Sequence, residues 1–137
     1  MNHKVIFLLV KDLKQKLTKL VSIVHYHFSH KEHLLLITSD LKATSYLDNL
    51  LWETPQDSFL PHIITDKPCE ELIVLTQEKK NLNGAKYIFN LSPTPLFLPK
   101  PPKIIYEFED LTSLPKQLLS KKRFQAYKEA KYPIESA

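Results

Sequence analysis

The chain has 137 residues, of which 43% are hydrophobic and 25% are charged, a composition typical of a soluble globular protein. This length suits one domain, over residues 1–137, that buries roughly two-thirds of its unfolded surface. The single cysteine, Cys69, excludes an internal disulfide and a cysteine-rich metal site, and it favours a reducing compartment. No apolar run approaches the length of a membrane span, so we expect a cytoplasmic protein that does not bind membranes.

The positive charge is concentrated near the C-terminus. The formal net charge is +4, but residues 115–132 hold six cations against Glu129 alone, which leaves −1 for the rest of the chain. A protein whose main task was to coat nucleic acid would more often have a broad basic face. The charge pattern therefore indicates one basic element.

The first half of the chain alternates strand and helix patterns. Apolar runs at residues 5–10 and 34–37 predict strands that are buried on both faces. Asp12 and Asp40 can each cap the helix that follows, because an aspartate accepts N–H bonds from the first turn. Thr54 precedes a proline and is pushed out of the α region, so the second helix ends there. This alternation predicts right-handed βαβ units on a parallel sheet.

The second half adds strands and a final helix. Apolar stretches at residues 72–75, 87–91 and 104–108 predict three strands, and residues 63–64 predict a short edge strand. A basic helix follows at about 114–131. The predicted fold is a single-domain three-layer α/β/α sandwich with a mainly parallel sheet, Rossmann-like in outline.

The motifs of nucleotide-binding enzymes are missing from the sequence. Gly84 is the only glycine, and phosphate-binding loops need several so that backbone N–H groups can approach the anion. There is no Gly-x-Ser-x-Gly elbow, and Cys69 precedes two glutamates that disfavour a thiolate. We therefore expect no nucleotide site, no cofactor and no catalytic residues.

Four histidines, His25, His27, His30 and His33, straddle the end of the first helix and the start of the second strand. This position favours a solvated helix terminus over a zinc site with fixed geometry.

A proline-rich segment precedes the fifth predicted strand. Residues 92–102 contain five prolines, so we predict a surface-exposed connection without regular structure. A polyproline ligand is the alternative.

The segment after the second helix carries large apolar residues in a turn-rich context, where they are hard to bury. Trp52, Phe59 and Pro61 lie in or beside it. Two interpretations remain open. The aromatic side chains fold back as a lid on the core, or they form a patch that binds a partner protein.

The final helix carries Lys121, Phe124, Gln125 and Lys128 at i, i+3, i+4 and i+7, so these residues line one face. Two cations beside an aromatic ring suit a peptide that presents carboxylates next to an apolar side chain. The alternative is a solvated basic helix with Phe124 packed into the core.

Both segments resemble the chi subunit of bacterial DNA polymerase III. The final helix resembles the family's Arg-Tyr-Lys-x-Tyr run, with Phe124 and Gln125 at the positions of the usual tyrosine and lysine. The resemblance is specific at residues 47–62 and 121–127 and looser elsewhere. The earlier segment reads Leu-Asp-x-x-Leu-Trp, then Pro, then Ser-Phe-x-Pro-His, at Leu47, Asp48, Leu51, Trp52, Pro55, Ser58, Phe59, Pro61 and His62.

The resemblance implies a non-catalytic accessory subunit of the replicative polymerase. Such a subunit links the clamp-loader complex, through a psi-type subunit, to the acidic C-terminal tail of single-stranded-DNA-binding protein, and it contacts DNA only indirectly. The psi-type contacts would be Trp52, Pro55, Phe59 and Pro61. The tail contacts would be Lys121, Lys122, Arg123, Phe124, Gln125 and Lys128, with Phe108 as a wall of the pocket.

Two functions of other classes remain open. A small α/β enzyme with an unrecognised site would show turnover in an activity screen. A direct single-stranded nucleic-acid-binding module would lose affinity for oligonucleotide steeply as salt rises.

Overall fold

A computed structural model describes residues 3–56 and 58–137. Met1 and Asn2, which open the predicted 1–137 domain, and Asp57 lie outside the described residues. The elements in chain order are β1 (Lys4–Val10), α1 (Leu13–Ser29), β2 (Leu34–Ile37), α2 (Leu41–Glu53), β3 (Ile63–Ile64), β4 (Ile73–Thr76), β5 (Tyr87–Asn90), β6 (Ile104–Asp110), α3 (Leu114–Glu129) and β7 (Ile134–Ser136).

The strands form one sheet in the order β3-β4-β2-β5-β6-β1-β7. Every neighbouring pair in the described part of the chain is parallel, so the predicted α/β fold is confirmed. Because each helix follows a strand of this sheet, the N-terminal ends of all three helices lie where the strands end. We call this side of the sheet the carboxyl edge and the opposite side the amino edge.

The helix ends follow the predicted local signals. The carboxylates of Asp12 and Asp40 each accept a first-turn N–H bond of 2.8 Å, and the hydroxyl of Ser113 accepts one of 3.3 Å at the start of α3. At the other end of α2, Thr54 adopts an extended conformation before its proline and ends the helix.

The three layers are confirmed by the two groups of core residues. Helices α1 and α2 cover one face, where side chains such as Leu20 and Leu51 pack against Phe89 of the sheet. Helix α3 covers the other face, where Tyr127 packs with Phe7. None of the helices in the described residues is long and apolar enough to cross a membrane.

Two features differ from the predictions. Strand β7, which pairs with residues 5–7 of β1, was not predicted because a three-residue strand with one apolar side chain gives no periodic signal. Residues 92–102, all of them described, contain no helix or strand, as predicted, but the predicted surface exposure is wrong at Ser92 and Pro102, which are buried, and at Leu96. This side chain is fully buried, and its backbone N–H donates to the Tyr127 hydroxyl at 2.8 Å. The stiff connection therefore packs across the α3 face of the sheet.

Candidate protein-binding sites

The segment after α2 presents an exposed apolar surface at the amino edge. Phe59 is 62% exposed and Trp52 less so, while Pro55 and Pro61 are also exposed. The interpretation that the aromatic side chains fold back as a lid on the core is therefore wrong for Phe59. We call the surface formed by Trp52, Pro55, Phe59 and Pro61 the aromatic surface.

Phe59 is held in an unusual backbone conformation. Its φ angle of 46° lies in the left-handed region, which is costly for a bulky side chain and persists only when the surroundings enforce it. The next residue, Leu60, is buried in the core. Burial of one residue thus pushes its neighbour's ring out into solvent.

A buried histidine attaches this segment to α2. The His62 ring nitrogens lie 2.7 Å from the Leu60 carbonyl oxygen and 2.6 Å from the Asp48 carboxylate. The Trp52 ring packs over the same imidazole, with ring centroids 4.4 Å apart. Because Asp48 and Trp52 are four residues apart on α2, they lie on one face and both contact His62. This arrangement accounts for the Leu-Asp-x-x-Leu-Trp and Pro-His spacing of the sequence.

Ile63 and Ile64 also belong to this surface, although they were not predicted to be part of it. Both side chains are exposed on β3, directly after His62, and they extend the apolar area along the sheet edge. The predicted short edge strand could have indicated this exposure, because no helix packs over the side chains of such a strand.

A second candidate site is a cavity of about 360 Å³ beside α3, near the carboxyl edge. Phe124 is 39% exposed, and its ring packs edge-on against Phe7 at 5.4 Å, so part of the ring faces the cavity. Phe124 is therefore neither a fully buried core residue nor a ring that is fully open to a ligand. We call this cavity the α3 pocket; its lining is Phe7, Glu109, Leu111, Gln117, Ser120, Lys121, Phe124 and Gln125.

The α3 pocket includes three of the predicted tail contacts and excludes four. Lys121, Phe124 and Gln125 line it, whereas Lys122 and Lys128 are exposed elsewhere on the helix. The remaining two, Arg123 and Phe108, are buried.

The expectation that Arg123 forms part of the exposed contact face is wrong. Arg123 is 7% exposed, and it lies about 160° from Lys121 around the helix axis because each residue turns a helix by about 100°. Its guanidinium donates to Glu107 at 2.9 Å and to the Phe108 carbonyl oxygen at 3.0 Å. Arg123 therefore points into the molecule.

Phe108 does not wall the α3 pocket. Successive side chains of a strand point to opposite faces, and Phe108 packs on the α1–α2 side, 4.9 Å from the Phe89 ring. Glu109, its neighbour, points to the α3 side and lines the pocket instead. Phe7 also lines the pocket, although its place in an apolar run predicted only an ordinary core residue.

A buried polar network fixes the position of α3 above the sheet. The Glu107 carboxylate is fully buried and accepts hydrogen bonds from Arg123 (2.9 Å), the Tyr127 hydroxyl (2.6 Å) and the Asn90 amide (2.7 Å). Burial raises the pKa of Glu107 to about 7, against the opposing effect of these three donors. Because two of the donors belong to α3, the network sets the rotation of the helix and hence the directions of its other side chains.

The four histidines do not share a site. His27 is buried, which corrects the prediction of a solvated terminus, and its ring nitrogens lie 3.0 Å from Glu32 and 2.8 Å from the Tyr106 hydroxyl. Burial lowers the pKa of His27. His30 and His33 bond to separate backbone oxygens. The described residues contain no group of three or more His, Cys, Asp or Glu side chains that could hold a metal ion.

Comparison with known proteins identifies the family. A family model described as DNA polymerase III chi subunit, HolC, matches residues 2–135, nearly the full chain. No curated protein matches the sequence. The family match agrees with the two motifs that form the aromatic surface and the α3 pocket, so the chain belongs to the chi subunit family of DNA polymerase III and has an accessory role in DNA replication.

Proposed function

We propose that this chain is a non-catalytic adaptor of the polymerase III holoenzyme. The aromatic surface binds a psi-type subunit of the clamp-loader complex, and the α3 pocket binds the acidic C-terminal tail of single-stranded-DNA-binding protein. The observation that carries the proposal is the α3 pocket, where the partly exposed Phe124 ring lies beside the exposed Lys121. The buried polar network beneath α3 fixes the position of this helix on the sheet.

The α3 pocket has the chemistry that such a tail requires. Lys121 can form a charge-assisted hydrogen bond with a carboxylate, and the exposed part of the Phe124 ring, which packs against the buried Phe7 ring, offers an apolar contact beside it. Gln117 and Gln125 can bond to the peptide backbone of the tail. Glu109 also lines the pocket, and its carboxylate disfavours acidic residues on that side, which orients the peptide.

The aromatic surface has the composition of a binding interface. Exposed aromatic side chains are enriched in such interfaces and often contribute most of the binding energy. Phe59 is the strongest candidate anchor, because its backbone is held in a costly conformation that exposes the ring.

The two surfaces are far enough apart for simultaneous binding. The aromatic surface adjoins β3, and the α3 pocket lies over β1 and β6. Four strands separate β3 from β1 in the sheet, which corresponds to about 24 Å at a strand spacing of about 4.8 Å. This separation supports the proposal that one chain holds both partners at once.

Calorimetric titration with a synthetic tail peptide tests the proposal. We expect the peptide to bind, its affinity to fall as salt rises, and an added psi-type subunit to leave that affinity unchanged. Lys121→Glu should weaken binding, whereas Lys122→Glu, an equal charge change on the same helix outside the pocket, should have a much smaller effect. Equal affinity for the Lys121→Glu variant and the parent would show that the α3 pocket is not the tail site.

A further inference from the structure

A second groove lies on the other side of α3. Its volume is about 530 Å³, and α1, α2 and α3 form its walls at the carboxyl edge. This volume is in the range of ligand-binding pockets, about 300–1,000 Å³. Large apolar side chains remain open to solvent in its lining: Leu13 is 57% exposed and Tyr46 is 54% exposed, and Leu119 of α3 faces them with a smaller exposed fraction. We call it the edge groove.

Two cations of the edge groove form no salt bridge with any residue that the structure describes. Lys16 forms a 2.7 Å ion pair with Asp110, and Arg123 pairs with Glu107. Lys42 and Lys116 line the same groove, and neither forms a salt bridge within residues 3–56 and 58–137. The groove thus combines an apolar interior with two lysine ammonium groups and the Asp40 carboxylate, which is engaged at the start of α2.

A phosphate-containing ligand does not fit this edge. The groove lies where α/β proteins bind nucleotides, but the Asp40 carboxylate already accepts the first-turn N–H of α2 at 2.8 Å. A first-turn N–H donor that a phosphate would use at this helix end is therefore already occupied. Gly84, the only glycine of the sequence, lies in the connection between β4 and β5, outside the lining. No glycine of the sequence therefore lies in the lining to let backbone N–H groups come close to a phosphate.

We infer that the edge groove is a second site for an acidic peptide segment that carries large apolar side chains. Apolar side chains would pack between Leu13, Tyr46 and Leu119, and carboxylates would pair with Lys42 and Lys116. The inference rests on the proposed function only for the choice of ligand, since the tail of single-stranded-DNA-binding protein belongs to this chemical class.

The two peptide sites flank one helix. Lys116, in the edge groove, and Lys121, in the α3 pocket, lie about 140° apart around α3. A peptide in one site therefore leaves the other open, and one chain should take two acidic segments, either from two tails or from two parts of one tail.

The inference is tested by the stoichiometry of tail-peptide binding to the full chain. This stoichiometry is measured by calorimetry and by amide chemical shifts. The parent should bind two peptides, and the double variant Lys42→Glu/Lys116→Glu should bind one, at the α3 pocket. Each reversed charge should weaken the groove site by about fivefold, since an exposed ion pair is worth up to about this factor. Tyr46→Ala should weaken the same site through its apolar contact. Lys14→Glu, an exposed α1 charge outside the lining, is the matched control.

The outcomes separate this inference from the proposed function. If Lys121→Glu removes one site and the groove variants remove the other, both are correct. If only the groove variants affect binding, the edge groove stands and the α3 pocket is not the tail site. A single site in the parent that is unaffected by the groove variants would overturn the inference. So would groove variants that weaken binding of a single-stranded oligonucleotide but not of the peptide.

Discussion

The α3 pocket and the aromatic surface are supported in different ways. Beneath α3, a fully buried carboxylate, Glu107, is bonded to Arg123 and Tyr127 of the helix, so the pocket rests on a charged network in the core. The aromatic surface rests on a short segment attached by Leu60 and by the Asp48–His62 hydrogen bond. The support is thus an apolar side chain and one hydrogen bond at the aromatic surface and a buried polar network at α3, and at both sites the contact residue can be mutated separately from its support.

The largest expected effect comes from the network below α3. Arg123→Ala leaves the Glu107 carboxylate buried without its cation, which typically costs 3–5 kcal/mol of unfolding free energy as a rough range. Lys122→Ala, at the adjacent exposed position, should change stability by only about 0.5 kcal/mol. Urea denaturation of both variants measures the difference. A loss below about 1 kcal/mol for Arg123→Ala would mean that the network does not hold α3 in place.

At the aromatic surface, two adjacent residues should behave oppositely. Leu60→Ala should lower the free energy of unfolding by about 2–5 kcal/mol, because Leu60 is buried. Phe59→Ala should leave the melting temperature nearly unchanged but weaken binding of a psi-type subunit by about 2 kcal/mol. Thermal melts and binding titrations of the two variants make the comparison. A large drop in stability for Phe59→Ala would show that the ring is a core residue after all.

A smaller effect is expected from restoring the family's usual cation in the α3 pocket. Gln125→Lys adds a second positive charge to the pocket lining, close to Lys121, and should tighten tail-peptide binding by about 0.2–1 kcal/mol at low salt. Calorimetry at two salt concentrations checks this value. Weaker binding by the variant would mean that the Gln125 amide donates a hydrogen bond that the lysine cannot replace.

The raised pKa of Glu107 predicts a pH dependence of stability. Since the pKa is about 7 in the folded protein and about 4.3 in an unfolded chain, the folded state binds this proton more tightly. The resulting stabilisation is present below about pH 4 and is lost as pH rises through about 7. His27, whose pKa is lowered, acts in the opposite direction, so the parent must be compared with Glu107→Gln. The stability of the parent relative to this variant should fall between pH 5 and pH 8; a constant difference would contradict the pKa shift.

Local signals in the sequence predicted most of the fold but only part of the sites. Helix starts at Asp12 and Asp40 depend on neighbouring residues alone, so they could be read from the sequence. The burial of Arg123 could not, because its partner Glu107 lies sixteen residues away and meets it only after α3 packs on the sheet. Phe108 was assigned to the pocket for a similar reason, since the alternation along β6 does not reveal which face α3 covers.

The most direct test of the adaptor function is the map of amide chemical-shift changes when the tail peptide is added to the isotope-labelled chain, alone and with a psi-type subunit bound. We expect the first peptide equivalent to shift the amides of Gln117, Lys121, Phe124 and Gln125 and to leave those of Phe59 and Ile63 unchanged, equally in the absence and presence of the psi-type subunit. Peptide-induced shifts centred on the aromatic surface, or displacement of the psi-type subunit by the peptide, would contradict the proposed adaptor function.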